Sequence, residues 1–269
     1  MSSASAILVA APPGGFPASV VEVQWQRDPL PLSAAAARRM SEQWQACLTH
    51  AAARQSTLFD GPITCLVEAR HAGTPDQPQV LLRLAPGSYK AFVVTRLHDR
   101  AWFEAHAPES LTLALGNSVL LTHGNEALLG IRSQNVSAYA GRAHLIGGVL
   151  ETLDTPAYPA SVEGLIAHLM AELREEVHIA PQDLAPRYPL PHLTPAWPRL
   201  LGIFYDHALG QPECIWRWET ETPLNDIARR IDRTEHDSHV ILTKGNISGE
   251  ARERLTPLAR EACDAWSQL

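Results

Sequence analysis

The feature that most constrains this chain is a strand-like run, two glycines and a long acidic helix in succession. His144-Leu145-Ile146 leads into Gly147-Gly148, and apolar residues then recur at helical spacing from Ser161 to His178. Ile166, Met170, Leu173 and Val177 fall on one side of that helix, so it can bury a stripe against a sheet. Glu172, Glu175 and Glu176 stand at i, i+3 and i+4 on another side, within about 6 Å of one another. Ser161 sits at the capping position, and Glu163 suits the positive end of the helix dipole. The glycine pair reads as a tight turn, where backbone without side chains can approach another group. A strand feeding such a turn and helix calls for an α+β fold.

Three carboxylates on one helix face repel each other unless a cation or solvent offsets them. Hard oxygen donors grouped this way suit Mg²⁺, with Mn²⁺ as an alternative. From the residues alone, the run also reads as a solvated helix face.

The rest of the chain alternates apolar runs with turn signals. Strands are expected near residues 6–10, 20–25, 63–70 and 79–85, with an Ala-rich helix from Ser33 to about Ala53. From Asn117 a hairpin is expected, Ser118–Thr122 and Ala127–Ile131 about the turn His123-Gly124-Asn125-Glu126. Residues 181–198 hold six prolines and read as an irregular connection. Strands follow at 200–205, 213–218 and 239–243, then a helix from about Ser248 to Trp266. The expected division is a smaller α+β unit over residues 1–115, serving substrate recognition, and a larger domain over 116–269.

With 269 residues, 45% of them hydrophobic, the chain can bury a sizeable core. A formal net charge of -7 without a basic run argues against a general affinity for nucleic acid. Any phosphate must be met locally. No stretch has the length of a membrane span or the charge pattern of a secretory signal. Cys47, Cys65, Cys214 and Cys263 lack metal-site spacing and read as reduced buried thiols of a cytoplasmic protein. The oligomeric state is not legible.

Gly148, Glu172, Leu173, Glu175, Glu176 and Ile179 resemble the Nudix box, in which Asp154 takes the place of a Glu. Three positions depart from it. Roughly nine extra residues follow Asp154, Ala171 replaces the box Arg, and His178 replaces the box Gly. Pro13–Pro17, Leu58–Pro62, Val80–Leu84 with Ser88-Tyr89-Lys90, and Glu235–Ser238 are similar, in the same order, to segments of an atypical animal branch of the family. That branch hydrolyses UDP-glucose and UDP-galactose and has an interrupted box and an added N-terminal unit.

The resemblance implies a Nudix α/β/α sandwich with a smaller N-terminal α+β unit, and a Mg²⁺-dependent diphosphatase. Water would split a UDP-hexose into UMP and hexose 1-phosphate. Glu172, Glu175 and Glu176 would hold the metal, with the Gly147 carbonyl a further ligand and Asp154 a supporting carboxylate. Glu235 or Asp237, before a late strand, would be a ligand or general base; a solvated turn reads equally well. Arg132 and Arg142 are candidates for gripping a diphosphate oxygen. Tyr89 and Phe16 are candidates for stacking on a base, and Gly14-Gly15 for offering backbone donors, although core packing also accounts for the aromatics. His168 lies one turn before Glu172. Two other functions fit the same residues: hydrolysis of another diphosphate such as ADP-ribose, and a catalytically silent nucleotide-binding module.

Overall fold

The computed structural model describes residues 4–53, 57–74, 77–134, 136, 138–180, 183–184 and 198–268. Its large sheet runs in the order β1 (Ser5–Ala10), β10 (Arg199–Asp206), β11 (Gln211–Glu219), β6 (Gly116–His123), β7 (Glu126–Arg132) and β12 (His236–Thr243). Three short strands branch from this row: β2 (Phe16–Pro17) on β10, β8 (Ala143–His144) on β7 and β9 (Ile146–Val149) on β6. All its pairings are antiparallel except that of β11 with β6. β6 and β7 form the expected hairpin, then diverge, and β8 and β9 take up their separated ends.

Strand alternation sends successive side chains to opposite faces of this sheet. Val119, Leu121 and Leu128 enter one core with Leu165, Leu169 and Leu173 of helix α4 (Val162–Val177). Leu120, Ala127 and Leu129 enter another with Leu258, Ala262 and Trp266 of helix α7 (Pro257–Ser267). Helix, sheet and helix therefore stack as an α/β/α sandwich within an α+β fold, as expected.

A second sheet, β3 (Val21–Trp25), β5 (Gln77–Ser88) and β4 (Pro62–Thr74) in that order, shares the α4 core through Leu66, Val80, Leu82 and Leu84. Ile63 and Cys65 belong instead to a third core with Met40 and Trp44 of α1 (Ala34–Ala53) and Phe103 of α3 (Arg100–His106). Between β5 and α3 lie the short helix α2 (Tyr89–Phe92) and a π-helical turn, Val93–His98. Although the first strands fall within residues 1–115, β1 and β2 pair with β10 in the large sheet.

Two local readings change. Gly147 and Gly148 do not form a turn but lie within β9, paired with Ser118 and Asn117. The expected C-terminal helix is two helices, α6 (Gly249–Glu253) and α7, because Thr256 caps α7 and Pro257 occupies its first turn. Of the proline-rich connection, 181–182 and 185–197 lie outside the described residues. The four cysteines are buried and free. Among the described residues no helix is long and apolar enough to cross a membrane.

Candidate active site

Helix α4 buries Leu165, Leu169, Leu173 and Val177 completely, which fixes its rotation over the sheet. Each such side chain contributes roughly 1.5–3 kcal/mol. Ser161 occupies the capping position without a side-chain cap bond. At the other end His178 adopts φ 49, in the left-handed region, and the Ile179 N–H closes the helix on the Leu173 carbonyl at 3.0 Å. This is the helix stop for which glycine is favoured, so His178 performs the conformational task of the residue it replaces.

That rotation turns Glu172 and Glu176 inward over β9 and leaves Glu175 exposed. Glu176 is only 3% exposed. Its Oε1 accepts the Gly147 N–H at 3.0 Å, and its Oε2 lies 2.5 Å from Nε2 of buried His236. Glu172 is held over Gly148, where an added Cβ would meet Glu172 Oε2 at 3.2 Å. Gly147 has φ +135, and a Cβ there would lie 2.5 Å from the Asn117 carbonyl oxygen. The glycine pair thus lets β9, β6 and the acidic helix close on one another.

Glu172 and Glu176 lie close enough together for each to act on the other's titration. Burial first, then neighbouring carboxylates including Glu235, hold both groups well above the usual carboxylate range. Bonds from Glu172 and Gly147, and the charge of Arg132, draw Glu176 partly back. His168 is buried beside the pair, its Nε2 3.3 Å from Glu172 Oε1, and burial pushes its pKa down to about 4.

Beside the pair lies a cavity of about 200 Å³, lined by Tyr89, Arg132, Gly147, Gly148 and Glu235 among others. Five residues singled out from the sequence therefore line one cavity. Arg132 is anchored through Nε to the Ala138 carbonyl at 2.9 Å. Tyr89, half-buried, also lines a second, larger cavity of about 1330 Å³, as do Leu97 and Val149.

Other candidates fall elsewhere. Phe16 is buried in the core, edge-on to His71, so its faces are closed to a base. Gly14 and Gly15 present carbonyls, not N–H groups, to the Arg199 guanidinium, and the Gly15 N–H turns back to Pro12. Arg142 donates to the Leu255 carbonyl at 3.2 Å and does not line the small cavity. Asp237 is exposed on β12 and accepts the Gln134 N–H at 3.2 Å, whereas its neighbour Glu235 faces the small cavity. Asp154 is exposed at φ 65.

The structure adds residues that sequence reasoning missed. Glu213 of β11 lines the small cavity although only 5% of it is exposed, and burial pushes its pKa up to about 7. A bond to Ser118 opposes that shift, Asp206 adds to it, and Arg132 opposes it. Tyr139 donates to Asp206 at 2.7 Å, and His144 pairs through Nδ1 with Thr256 Oγ1 at 2.7 Å; all three of Tyr139, Asp206 and His144 line the same cavity. A lone acid in the apolar run Pro212-Glu213-Cys214-Ile215-Trp216 was the one available signal.

Among the described residues, no three His, Cys, Asp or Glu side chains are grouped as a ready metal cage. That excludes a preassembled closed site of the zinc type. It is compatible with Mg²⁺, which is commonly held by one or two carboxylates, with water and substrate phosphate completing its shell. Glu172 and Glu176 supply two such carboxylates, each strained by burial in a way that a cation would relieve.

No protein-family model matches the sequence, and no curated protein matches it. Among solved structures, the chain is similar to the E. coli ORF135 protein in solution, at 19% identity and TM-score 0.33, over 56% of this chain and 86% of that one. It is also similar to a bifunctional NMN adenylyltransferase/ADP ribose pyrophosphatase from Francisella tularensis, at 14% identity and TM-score 0.37, over 61% of this chain and 42% of that one. The same bifunctional protein complexed with AMP and a Mn ion matches at 14% identity and TM-score 0.35, over 61% and 43%. The chain thus spans less than half the length of the bifunctional protein.

Proposed function

We propose that this chain is a Nudix-type hydrolase that uses Mg²⁺, or Mn²⁺ in its place, to cleave the diphosphate of a UDP-hexose into UMP and hexose 1-phosphate. The observation that carries the reading is the buried Glu172–Glu176 pair over Gly147-Gly148, beside a cavity walled by Arg132. Two acids held above their ordinary pKa, with no Arg or Lys in contact among the described residues, make a site that an external cation completes. The ordered sequence segments similar to UDP-sugar diphosphatases supply the choice of substrate, because fold alone does not.

Glu172 and Glu176 would hold the cation, with the Gly147 carbonyl and Glu235 as further donors and exposed Glu175 acting at longer range. When bound, the cation supplies positive charge that offsets the phosphate oxygens and makes water a better nucleophile. His236 and the Gly147 N–H fix Glu176 from two sides, a positioning task that the resemblance would give to the box Arg replaced by Ala171. Arg132 would bind a phosphate oxygen, and Glu235 would take the proton from the attacking water. The large cavity has no Arg or Lys among its described lining residues, but offers Phe59, Tyr89 and Tyr158. It suits the uncharged nucleoside end, in keeping with a recognition role for the N-terminal unit.

A panel of UDP-glucose, UDP-galactose and ADP-ribose with Mg²⁺, read by release of monophosphates, tests this. UDP-hexose is expected to turn over fastest. Faster cleavage of ADP-ribose would move the chain to the other diphosphate class, and no turnover of any diphosphate would leave the silent binding module.

A further inference from the structure

Glu213 stands apart from the acidic helix. It lies on β11, opposite Gly116 of β6, on the face of the sheet that α7 covers. Gly116 leaves the room its side chain occupies, since a Cβ there would lie 2.8 Å from Glu213 Cγ. Its Oε1 is buried, with no hydrogen-bond partner among the described residues. A buried carboxyl oxygen without a partner costs free energy unless something donates to it.

Four polar side chains, Tyr139, Asp206, Gln211 and His144, line the small cavity with it, beside the apolar Phe92, Leu97, Val149, Leu209 and Leu258. Arg132 is the single Arg or Lys among the described lining residues. One cation can meet one phosphate, while the acceptors Asp206 and Glu213 would repel a second. Hydroxyl groups are the natural complement, because each can donate to a carboxyl oxygen and accept from an amide such as that of Gln211. Small size, a group of polar side chains and an unpartnered buried acceptor describe a site for a compact polyhydroxylated group, whereas the broader cavity across Tyr89 offers aromatic rings and one acid, Glu151.

We infer that the small cavity holds a sugar ring attached to the phosphate at Arg132, and that Glu213 selects it by accepting a hydrogen bond from a sugar hydroxyl. This rests on the proposed function for the phosphate at Arg132, and assigns the two halves of the substrate to separate cavities. The nucleoside lies in the large one and the sugar in the small one. Glu213 is thereby a specificity-determining residue, and takes no part in the attack on phosphorus.

Calorimetric titration of glucose 1-phosphate, inorganic phosphate and UMP in Mg²⁺ tests this without requiring turnover, so that it can fail while diphosphate hydrolysis stands. The parent protein is expected to bind glucose 1-phosphate at least about tenfold more tightly than inorganic phosphate. Glu213→Leu is expected to remove most of that ratio and Glu213→Gln part of it, with inorganic phosphate unaffected. At least one of 2-deoxy-, 3-deoxy-, 4-deoxy- and 6-deoxyglucose 1-phosphate should lose about tenfold on the parent, a measurement that holds whether or not the variants fold. Equal binding of glucose 1-phosphate and inorganic phosphate overturns the assignment. So does indifference to every deoxy substitution, or a Glu213 variant that weakens UMP and spares glucose 1-phosphate.

Discussion

Two acidic sites lie near the C-terminal end of α4, and their carboxyls shift in opposite directions although burial pushes both upward. Glu172 and Glu176 are held above the ordinary range, because burial and neighbouring acids outweigh the charge of Arg132. Asp183, just past the helix, is drawn down to about 2, chiefly by Arg230. The Arg230 guanidinium reaches both Asp183 oxygens at 2.9 and 3.1 Å, and the Ala180 N–H and Thr222 hydroxyl donate at 2.8 and 2.7 Å. The fold can therefore neutralise a buried acid with its own groups, and does so at Asp183. At the helix face no Arg or Lys among the described residues does the same, a pattern common in sites that bind or react.

The comparison can be broken most directly at the helix face. Glu176→Gln is expected to lower Mg²⁺-dependent turnover of UDP-glucose on the order of 10³-fold, measured as UMP release, while the protein stays folded. Parent-like turnover would remove Glu176 from the site. Asp183→Asn should leave turnover nearly intact but cost about 1–3 kcal/mol in urea unfolding, since Arg230 loses its charged partner while remaining partly solvated.

The pH dependence should separate the two sites by sign. The Glu172–Glu176 pair keeps a proton that the unfolded chain releases near pH 4.5, so the folded state binds more protons between there and about 8. Its contribution to stability is full below pH 4.5 and is lost as pH rises through about 8, with a slope of about 1 kcal/mol per pH unit per proton. In thermal melts without metal, Glu172→Gln should flatten this slope, and Mg²⁺ should oppose it. Asp183 acts in reverse: its contribution is present above pH 3.8 and is lost as pH falls through about 2. A Glu172→Gln variant whose melting temperature keeps the parent's pH dependence between pH 5 and 8 would contradict the reading of the pair. The smallest effect concerns the helix stop between the two sites, where His178→Gly should stabilise by about 1 kcal/mol by removing a side chain from the left-handed conformation.

Much of this arrangement was legible in the sequence because it is local. The α4 stripe, the β6–β7 hairpin and the inward Glu172 and Glu176 follow from periods of 3.6 and 2 and from turn chemistry. The glycine pair was recognised as a point of close approach, yet misread as a turn, because φ/ψ freedom serves a strand crowded by a neighbour as well as it serves a bend. The contacts of Phe16 and Gly14-Gly15 were not legible because their partners, His71 and Arg199, are remote in sequence. His236 and Glu213 were missed for the same reason. Only the folded sheet sets His236 against Glu176 or leaves Glu213 Oε1 without a donor, and no window of residues contains both sides of either contact.

Strand β1 joins the large sheet solely along β10, with Ser5 opposite Asp206. A ribosome adding 5–20 residues per second would finish β1 roughly 10–40 seconds before its partner emerged. During that interval Ile7-Leu8-Val9 lacks its native edge, so the nascent chain carries an unmatched apolar strand until β10 is made. That segment must be kept from foreign strand edges until β10 is made.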